Sequence, residues 1–186
     1  MLNLHLMLLL LVSVIGEEYE VPQHYRKRPV CEDIAPEIEN RRVACRIEQV
    51  LRDEGFDSPL VEAALLNSYA ESKFNPKAVG DNGRSRGVFQ LNENGLGRKM
   101  TMESKHNVEA STKRIVSAVR KSKKLTEAIE RGAETGELTR LFCTEIMRPS
   151  NKRRKAAQRS GLREVVFASP TERRPSRSRE GAGSKV

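Results

Sequence analysis

Apolar side chains recur every three to four residues along much of the chain, which is the period of an amphipathic helix. The first such run begins near Pro36 and stops at Gly55. Later runs predict four more helices: Lys105–Lys121, Leu125–Arg131, Glu137–Met147 and a basic one from Pro149 to about Gly161. The chain is therefore expected to be mainly α-helical.

The segment from Ser58 to about Glu71 differs from these because it is apolar almost all round. Such a pattern is typical of a helix buried in the middle of a domain. Ser58 is a good N-cap and Pro59 suits the first helical position, so the helix is predicted to begin there.

A polar segment, residues 73–94, follows the buried helix and is rich in residues that favour turns. Asp81–Gly83 (DNG) lies between short segments, and this arrangement favours a small β-hairpin. Pro76 restricts Asn75 to extended geometry and stops the helix. The sequence thus predicts one mainly α domain, residues 34–162, with a loop or small hairpin on one side.

The two ends differ in character from this domain. The apolar run over residues 2–15 is too short for a comfortable membrane span. It fits a signal peptide at residues 1–16, with an N-terminal anchor and then a buried helix as the alternatives, followed by a linker over 17–33. Residues 151–186 hold eleven Lys and Arg against three Glu, which is eight of the nine net positive charges. A basic disordered tail over 163–186 would attract polyanions.

Three cysteines, Cys31, Cys45 and Cys143, cannot all pair within one chain. In an exported protein, a disulfide between Cys31 and Cys45 would tie the N-terminal segment to the first helix. Neither the cysteine spacing nor the three scattered histidines fit a zinc site, so no metal is expected.

Glu71 is the candidate for chemistry because it lies where the buried helix meets the polar loop. A carboxylate at this point is partly desolvated, and desolvation favours the protonated form that can act as a general acid. Helical spacing places Leu60, Ala64, Asn67 and Glu71 on one face. A glutamate at a helix end is more often a solvated charge, so this position alone does not establish catalysis.

The residues after Glu71 form a longer pattern. The series is Glu71-Ser72-x-Phe74-Asn75-Pro76-x-Ala78, then Gly80, Gly83, Ser85, Gly87, Phe89, Gln90 and Leu91. It resembles the soluble lytic transglycosylase family of lysozyme-like enzymes, whose pattern is close to E-S-x-F-N-P-x-A, a glycine-rich turn and S-x-G-L-x-Q-[LI]. Val88 stands where leucine is commoner.

The resemblance implies a lysozyme-like α-helical domain with the small hairpin beside a substrate cleft. It implies that Glu71 is the catalytic acid/base and that Ser85 and Gln90 lie in the cleft, where they help to hold substrate or Glu71. His106-Asn107-Val108 is similar to the segment that follows the cleft in this family, which makes Asn107 a further substrate-binding candidate. The alternative for Asn107 is a polar residue at a helix N-terminus.

A second resemblance covers residues 142–159 (FCTEIMRPSNKRRKAAQR). They are similar to the F-x-x-x-x-E-R-P-x-x-x-x-x-x-A-x-x-R segment of phage-type members. Met147 stands where that segment has glutamate, and Glu145 lies two positions earlier. Whether Glu145 reaches the cleft is left open. This similarity favours a phage-related or bacterial enzyme that cleaves cell walls.

The resemblance therefore implies a peptidoglycan lytic transglycosylase that cleaves the MurNAc–GlcNAc β-1,4 bond and forms 1,6-anhydroMurNAc. A hydrolase normally needs two carboxylates, and neither Asp81 nor Glu93 occupies a position that the family uses. Glu71 alone suits the transglycosylase route. The alternatives are a muramidase of the same fold, a glycan-binding module without activity, and a polyanion- or nucleic-acid-binding protein that uses its basic tail.

Peptidoglycan glycan strands are the expected partner, and no cofactor is expected. The basic tail adds anionic wall polymers or a membrane surface as further partners. Nucleic acid is not expected, because the chain has no recognised binding motif and few aromatic residues for stacking on bases. We expect an exported monomer in the periplasm, cell envelope or extracellular space, or a component of a virion.

Overall fold

The computed structural model of the chain describes residues 29–167. The α-helices are α1 (Arg41–Asp53), α2 (Ser58–Ser72), α3 (Met102–His106), α4 (Val108–Lys121), α5 (Lys123–Glu130), α6 (Thr135–Leu141), α7 (Lys152–Ser160) and α8 (Arg163–Val166). A π-helix, Phe142–Met147, continues α6. The prediction of a mainly α domain is confirmed.

A small antiparallel sheet lies between α2 and α3 in the sequence. Its strands are β1 (Val79–Gly80), β2 (Ser85–Arg86) and β3 (Leu91–Asn92), in the order β1-β2-β3. Gly80 pairs with Ser85, and Arg86 pairs with Leu91. The hairpin predicted around Asp81–Gly83 is therefore present and gains a third strand.

Helix α2 forms the centre of the core. Six consecutive or nearly consecutive side chains are at most 1% exposed: Leu60, Val61, Ala63, Ala64, Leu65 and Leu66. Helices α1, α6 and α7 pack around α2. A helix surrounded in this way needs apolar residues on all its faces, which explains the pattern read from the sequence.

Helix α2 ends earlier than Pro76 requires. Its last residue is Ser72, and Lys73 and Phe74 both adopt a positive φ. Phe74 is fully buried, and its ring lies 5.4 Å from that of Tyr69. The turn is therefore held by an aromatic contact back to the helix, in addition to the proline.

The predicted start of the first helix is wrong by several residues. Helix α1 begins at Arg41, because Asn40 has a left-handed conformation with φ of 61° and interrupts any helix from Pro36. The predicted cap of α2 is also wrong: Ser58 is already helical, and Asp57 is the N-cap residue. The Ser58 hydroxyl accepts a hydrogen bond from Arg52 at 3.0 Å instead.

Two other predicted helices differ in their geometry. The run from Lys105 to Lys121 is divided at Asn107, which is extended and separates α3 from α4. The run from Glu137 to Met147 widens from α to π geometry after Leu141. π-Helical turns are rare and are frequent at functional sites.

The predicted disulfide between Cys31 and Cys45 is confirmed, with Cα atoms 5.1 Å apart. It joins a 3₁₀ turn, Val30–Asp33, to helix α1. The buried carboxylate of Glu48 strengthens this link by accepting hydrogen bonds from the backbone amides of Val30 at 2.8 Å and Cys31 at 2.6 Å. This turn comes from the segment predicted to be a linker.

Replacing both Cys31 and Cys45 by alanine is expected to lower the free energy of unfolding by about 3 kcal/mol, the entropic value for a loop of this size. Thermal unfolding measured with and without a thiol reductant checks this. The reductant should lower the melting temperature of the wild type and leave that of the double variant unchanged. An equal response in both proteins would show that the disulfide does not stabilise the fold.

The other end of the described chain also packs on the domain. Helix α8, from the predicted tail, is followed by Phe167, which forms a β-bridge with Ile34. The expectations for residues 1–28 and 168–186, including the signal peptide or anchor and the disordered tail, lie outside the described residues. Within residues 29–167, no helix combines the length and the apolar character needed to cross a membrane.

Candidate functional site

Glu71 lies in the last turn of α2, and its side chain is 19% exposed. Its Oε1 accepts a hydrogen bond from Nη2 of Arg159, which belongs to α7 and is only 4% exposed. The pair joins a carboxylate that solvent can reach to a guanidinium that solvent can hardly reach. Such a charge-assisted contact fixes the carboxylate in one orientation.

Asn67 holds the other side of the same guanidinium. Its Oδ1 accepts from Nη1 of Arg159 at 2.6 Å. Its Nδ2 donates to the carbonyl oxygens of Ala63 at 2.8 Å and Thr139 at 3.2 Å. The two backbone carbonyls fix the Asn67 amide, the amide fixes Arg159, and Arg159 fixes Glu71. Asn67 and Glu71, which are predicted to share one face of the helix, therefore bind the same side chain, that of Arg159.

The thiol of Cys143, in the π-helix, lies near this ion pair and is fully buried. Desolvation raises the pKa of Cys143, the charge of Glu71 raises it further, and Arg159 and Lys155 oppose the shift. The thiol therefore stays neutral near neutral pH and adds an apolar wall beside the charged pair.

The β-sheet is attached to the same end of α2. The hydroxyls of Ser68 and Ser72 both donate to the carbonyl oxygen of Val88, at 3.1 and 2.9 Å. Val88 lies between the second and third strands, so the loop that carries Gln90 is held against the turn of helix that carries Glu71. The series that resembles the transglycosylase family contains both the end of α2 and this loop, and the structure holds the two together by hydrogen bonds.

The side chain of Gln90 is bound to its own loop. Its Nε2 donates to the carbonyl oxygens of Ala78 at 3.1 Å and Gly87 at 3.0 Å. Gln90 also has a positive φ of 45°. Its Oε1 passes so close to Gly80 that a Cβ there would collide with it. Gln90 thus supports the loop, and a role in holding substrate remains a prediction.

Ser85 is part of a small polar cluster in the sheet. Its hydroxyl is buried, donates to Oδ2 of Asp81, and accepts from Nδ2 of Asn92 at 3.0 Å. These contacts stabilise the sheet. Contact of Ser85 with a sugar remains a prediction.

Asn107 begins helix α4. Its Oδ1 accepts a hydrogen bond from the amide of Ala110 at 2.9 Å, which is the geometry of an N-cap. Asn107 therefore has the alternative role given above, that of a polar residue at a helix N-terminus. Substrate binding by this residue stays a prediction.

Gly87 brings the loop against α3. It has a φ of +75°, and a Cβ at this position would collide with the carbonyl oxygen of Lys105.

Replacing Gly87 by alanine should lower the free energy of unfolding by about 1–2 kcal/mol for the left-handed backbone and by about 1–3 kcal/mol for the overpacking. Thermal unfolding measures the loss. Gly136→Ala is the matched control, because a Cβ there meets nothing within 4 Å, and it should be neutral or slightly stabilising. Equal effects of the two changes would contradict the close approach.

A groove of about 750 Å³ opens on one side of the sheet. The loop of Phe89–Asn92 forms one wall, and residues around the α4–α5 junction and the π-helix form the other. Gln90 and Glu145 line this groove, whereas Glu71 does not. Glu145 therefore reaches this groove, and its carboxylate pairs with Lys124 at 3.1 Å.

The groove and the Glu71 pair are connected through two shared elements, the π-helix and the loop between the second and third strands. The π-helix places Cys143 near Glu71 and Glu145 in the groove wall, two residues apart. The loop that carries Gln90 into the groove is tied to Ser72, the residue after Glu71.

The sequence did not identify Arg159 as part of the site. It lies 88 residues from Glu71, and only its place as the final arginine of the segment 142–159 marked it. The structure sets Arg159 apart from the other basic residues of α7: Lys152–Lys155 are all exposed, whereas Arg159 is buried.

Residues 42–162 match the protein-family model described as phage tail lysozyme. The matched segment is more than half of the chain and contains Glu71, Gln90, Glu145 and Arg159. No curated protein sequence and no solved structure matches the chain.

Proposed function

The chain belongs to the phage tail lysozyme family, and from that membership and the site around Glu71 we propose that it is a lytic transglycosylase. The family gives the coarser statement, a lysozyme-like enzyme that cleaves glycosidic bonds of peptidoglycan and acts at the cell wall or as part of a virion. The proposed bond is the MurNAc–GlcNAc β-1,4 linkage, and the proposed product carries 1,6-anhydroMurNAc. Glu71, a partly exposed carboxylate held by a buried guanidinium, carries this proposal.

Glu71 would serve in both halves of the reaction. Its carboxyl donates a proton to the glycosidic oxygen as the bond to the muramyl C1 breaks. The resulting carboxylate takes the proton of the muramyl C6 hydroxyl while the C6 oxygen attacks C1. The proton that leaves Glu71 in the first half returns in the second, so no water is consumed. One carboxylate is sufficient for this cycle.

Arg159 would act on Glu71 without touching the sugar, as a positioning residue. Its guanidinium, itself held by Asn67, fixes the Glu71 carboxyl in one orientation. A carboxyl that is already oriented toward the glycosidic oxygen transfers its proton with a lower barrier than one that must first be oriented.

Glu145 favours a second candidate, a muramidase of the same fold. A hydrolase uses two carboxylates on either side of the bond, and Glu145 supplies a second one in the groove wall. In that case water would attack C1 and the product would have a reducing end. Glu71 does not line the groove that holds Glu145, so the two carboxylates do not flank one bond there, and we prefer the single-carboxylate route.

Mass spectrometry of digested peptidoglycan separates these routes. Incubation of the full chain with purified sacculi is expected to release anhydro-muropeptides, each lighter by one water than the corresponding reducing product. Reducing muropeptides would instead establish the muramidase. Release of neither product from sacculi that a control muramidase digests would reject an enzyme and leave a glycan-binding module.

Other features of the proposal follow from the wall as substrate. We propose a monomeric domain that extends the predicted bounds of 34–162 by the packed residues 30–33 and 163–167, with residues 1–16 serving export. The disulfide fits an oxidising location such as the cell envelope or a virion. The basic C-terminal residues would hold the enzyme near anionic wall polymers. No cofactor has a role in this chemistry.

A further inference from the structure

The groove beside the sheet has an unusual concentration of positive charge, and we call it the basic groove. Its charged lining residues are Lys121, Lys123, Lys124, Arg148 and Glu145. Four cations thus face one carboxylate. All four cationic side chains are exposed. A groove with this balance attracts an anionic ligand.

The charges of the basic groove are only partly compensated. Glu145 pairs with Lys124 at 3.1 Å, and its backbone carbonyl accepts from Nε of Arg148 at 2.8 Å. Lys123 has a distant contact of 3.7 Å with Glu127, one turn along α5. Within residues 29–167, Lys121 has no ion-pair partner. Lys121 and Lys123 therefore remain available to a ligand.

The remaining lining of the groove suits a sugar chain. Uncharged hydrogen-bonding groups come from Gln90, Asn92, Asn94 and Ser122, and apolar surface comes from residues such as Phe89 and Met147. Amide and hydroxyl groups bind neutral hydroxyls without the desolvation cost of a charge. The groove thus combines a neutral polar and apolar lining with four exposed cations.

We propose that the basic groove binds the carboxylates of the stem peptides on the peptidoglycan strand, with Lys121 and Lys123 as the principal contacts. This inference rests on the proposed function and adds to it the part of the substrate that the groove selects. In an intact strand the lactyl carboxyl is bonded to the stem peptide as an amide, so the sugars are neutral and the neutral lining is sufficient for them. Each stem brings carboxylates that recur along the strand, and the four exposed cations of the groove match these anionic groups.

A double substitution tests the proposal. Lys121→Gln with Lys123→Gln removes two charges from the groove, and Arg42→Gln with Arg140→Gln removes two charges from exposed positions of α1 and α6 as the matched control. Cleavage rates are measured on glycan strands that carry stem peptides and on the same strands after an amidase has removed the stems and the lactyl carboxylates so exposed have been converted to neutral amides. Binding to insoluble sacculi is measured in parallel by sedimentation.

The groove variant is expected to raise KM on stem-bearing strands about tenfold, from two exposed charge contacts, with kcat unchanged. Removing the stems should raise the wild-type KM to a similar extent and should add little in the groove variant, because both changes delete the same interaction. The control variant should leave KM on both substrates unchanged. Added salt should reduce the difference between wild type and groove variant.

Different results would overturn the proposal. Equal losses on strands with and without stems would assign the lysines to the sugars, and equal losses in the control variant would assign the effect to overall charge. An effect that disappears on walls stripped of phosphodiester polymers by acid would assign the groove to those polymers. If the wild type cuts no substrate but sediments with sacculi through Lys121 and Lys123, the proposed function fails and this inference stands.

Discussion

Glu71→Gln is expected to lower kcat on peptidoglycan by about a thousandfold, within the range that a general acid/base contributes. The amide keeps the shape of the side chain but has no proton to donate and no charge with which to accept one. The folded structure should persist, because an amide oxygen still accepts a hydrogen bond from Arg159. Release of muropeptides, with thermal unfolding in parallel, measures both quantities.

Glu93→Gln provides the matched control for this substitution. Glu93 is an exposed carboxylate of the same loop region, 3.9 Å from Arg84. Its replacement should leave kcat and the melting temperature unchanged, because exposed ion pairs contribute little. A Glu71→Gln variant as active as the Glu93→Gln variant would remove Glu71 from the mechanism.

The second large effect is expected at Arg159. Arg159→Met should lower kcat about a hundredfold, the scale of loss when a catalytic group is misplaced by about 1 Å, with little change in KM. It should also lower the free energy of unfolding by about 1–3 kcal/mol, because Asn67 loses a buried hydrogen bond. Steady-state kinetics and thermal unfolding measure the two losses separately.

Arg159→Lys distinguishes positioning from stability. Lysine keeps the charge but cannot bridge Asn67 and Glu71 with a planar fork, so it should recover only part of kcat. Arg153→Met, at an exposed position of the same helix, should alter neither kcat nor the free energy of unfolding. A rise in KM with kcat intact in Arg159→Met would show that Arg159 binds substrate and does not position Glu71.

The elements that the sequence predicts well are those governed by local pattern. The continuous apolar surface of α2 follows from Leu60–Leu66 alone, and turn residues around Asp81–Gly83 indicate the first two strands. Helix starts were less accurate, since the left-handed conformation of Asn40 and the contact between Ser58 and Arg52 depend on neighbours outside the helix. The change from α to π geometry after Leu141 could not be predicted either, because it hardly alters the spacing of the apolar residues.

The candidate site could be predicted in part. Glu71 is marked by its place between a buried helix and a polar loop, and the series after it names Ser85 and Gln90. The sequence does not show that these two side chains bind Asp81, Ala78 and Gly87 within the sheet. The bond between Glu71 and Arg159 joins residues 88 positions apart. No local pattern fixes such a pairing, because it depends on how α2 and α7 pack.

The most direct test of Glu71 as the residue that cleaves the strand is an experimental structure of the Glu71→Gln variant with a bound peptidoglycan fragment. We predict that the side chain at position 71 lies about 2.6–3.2 Å from a glycosidic oxygen, with the strand continuing into the basic groove. A fragment seated in that groove with every glycosidic oxygen beyond the reach of position 71 would contradict it.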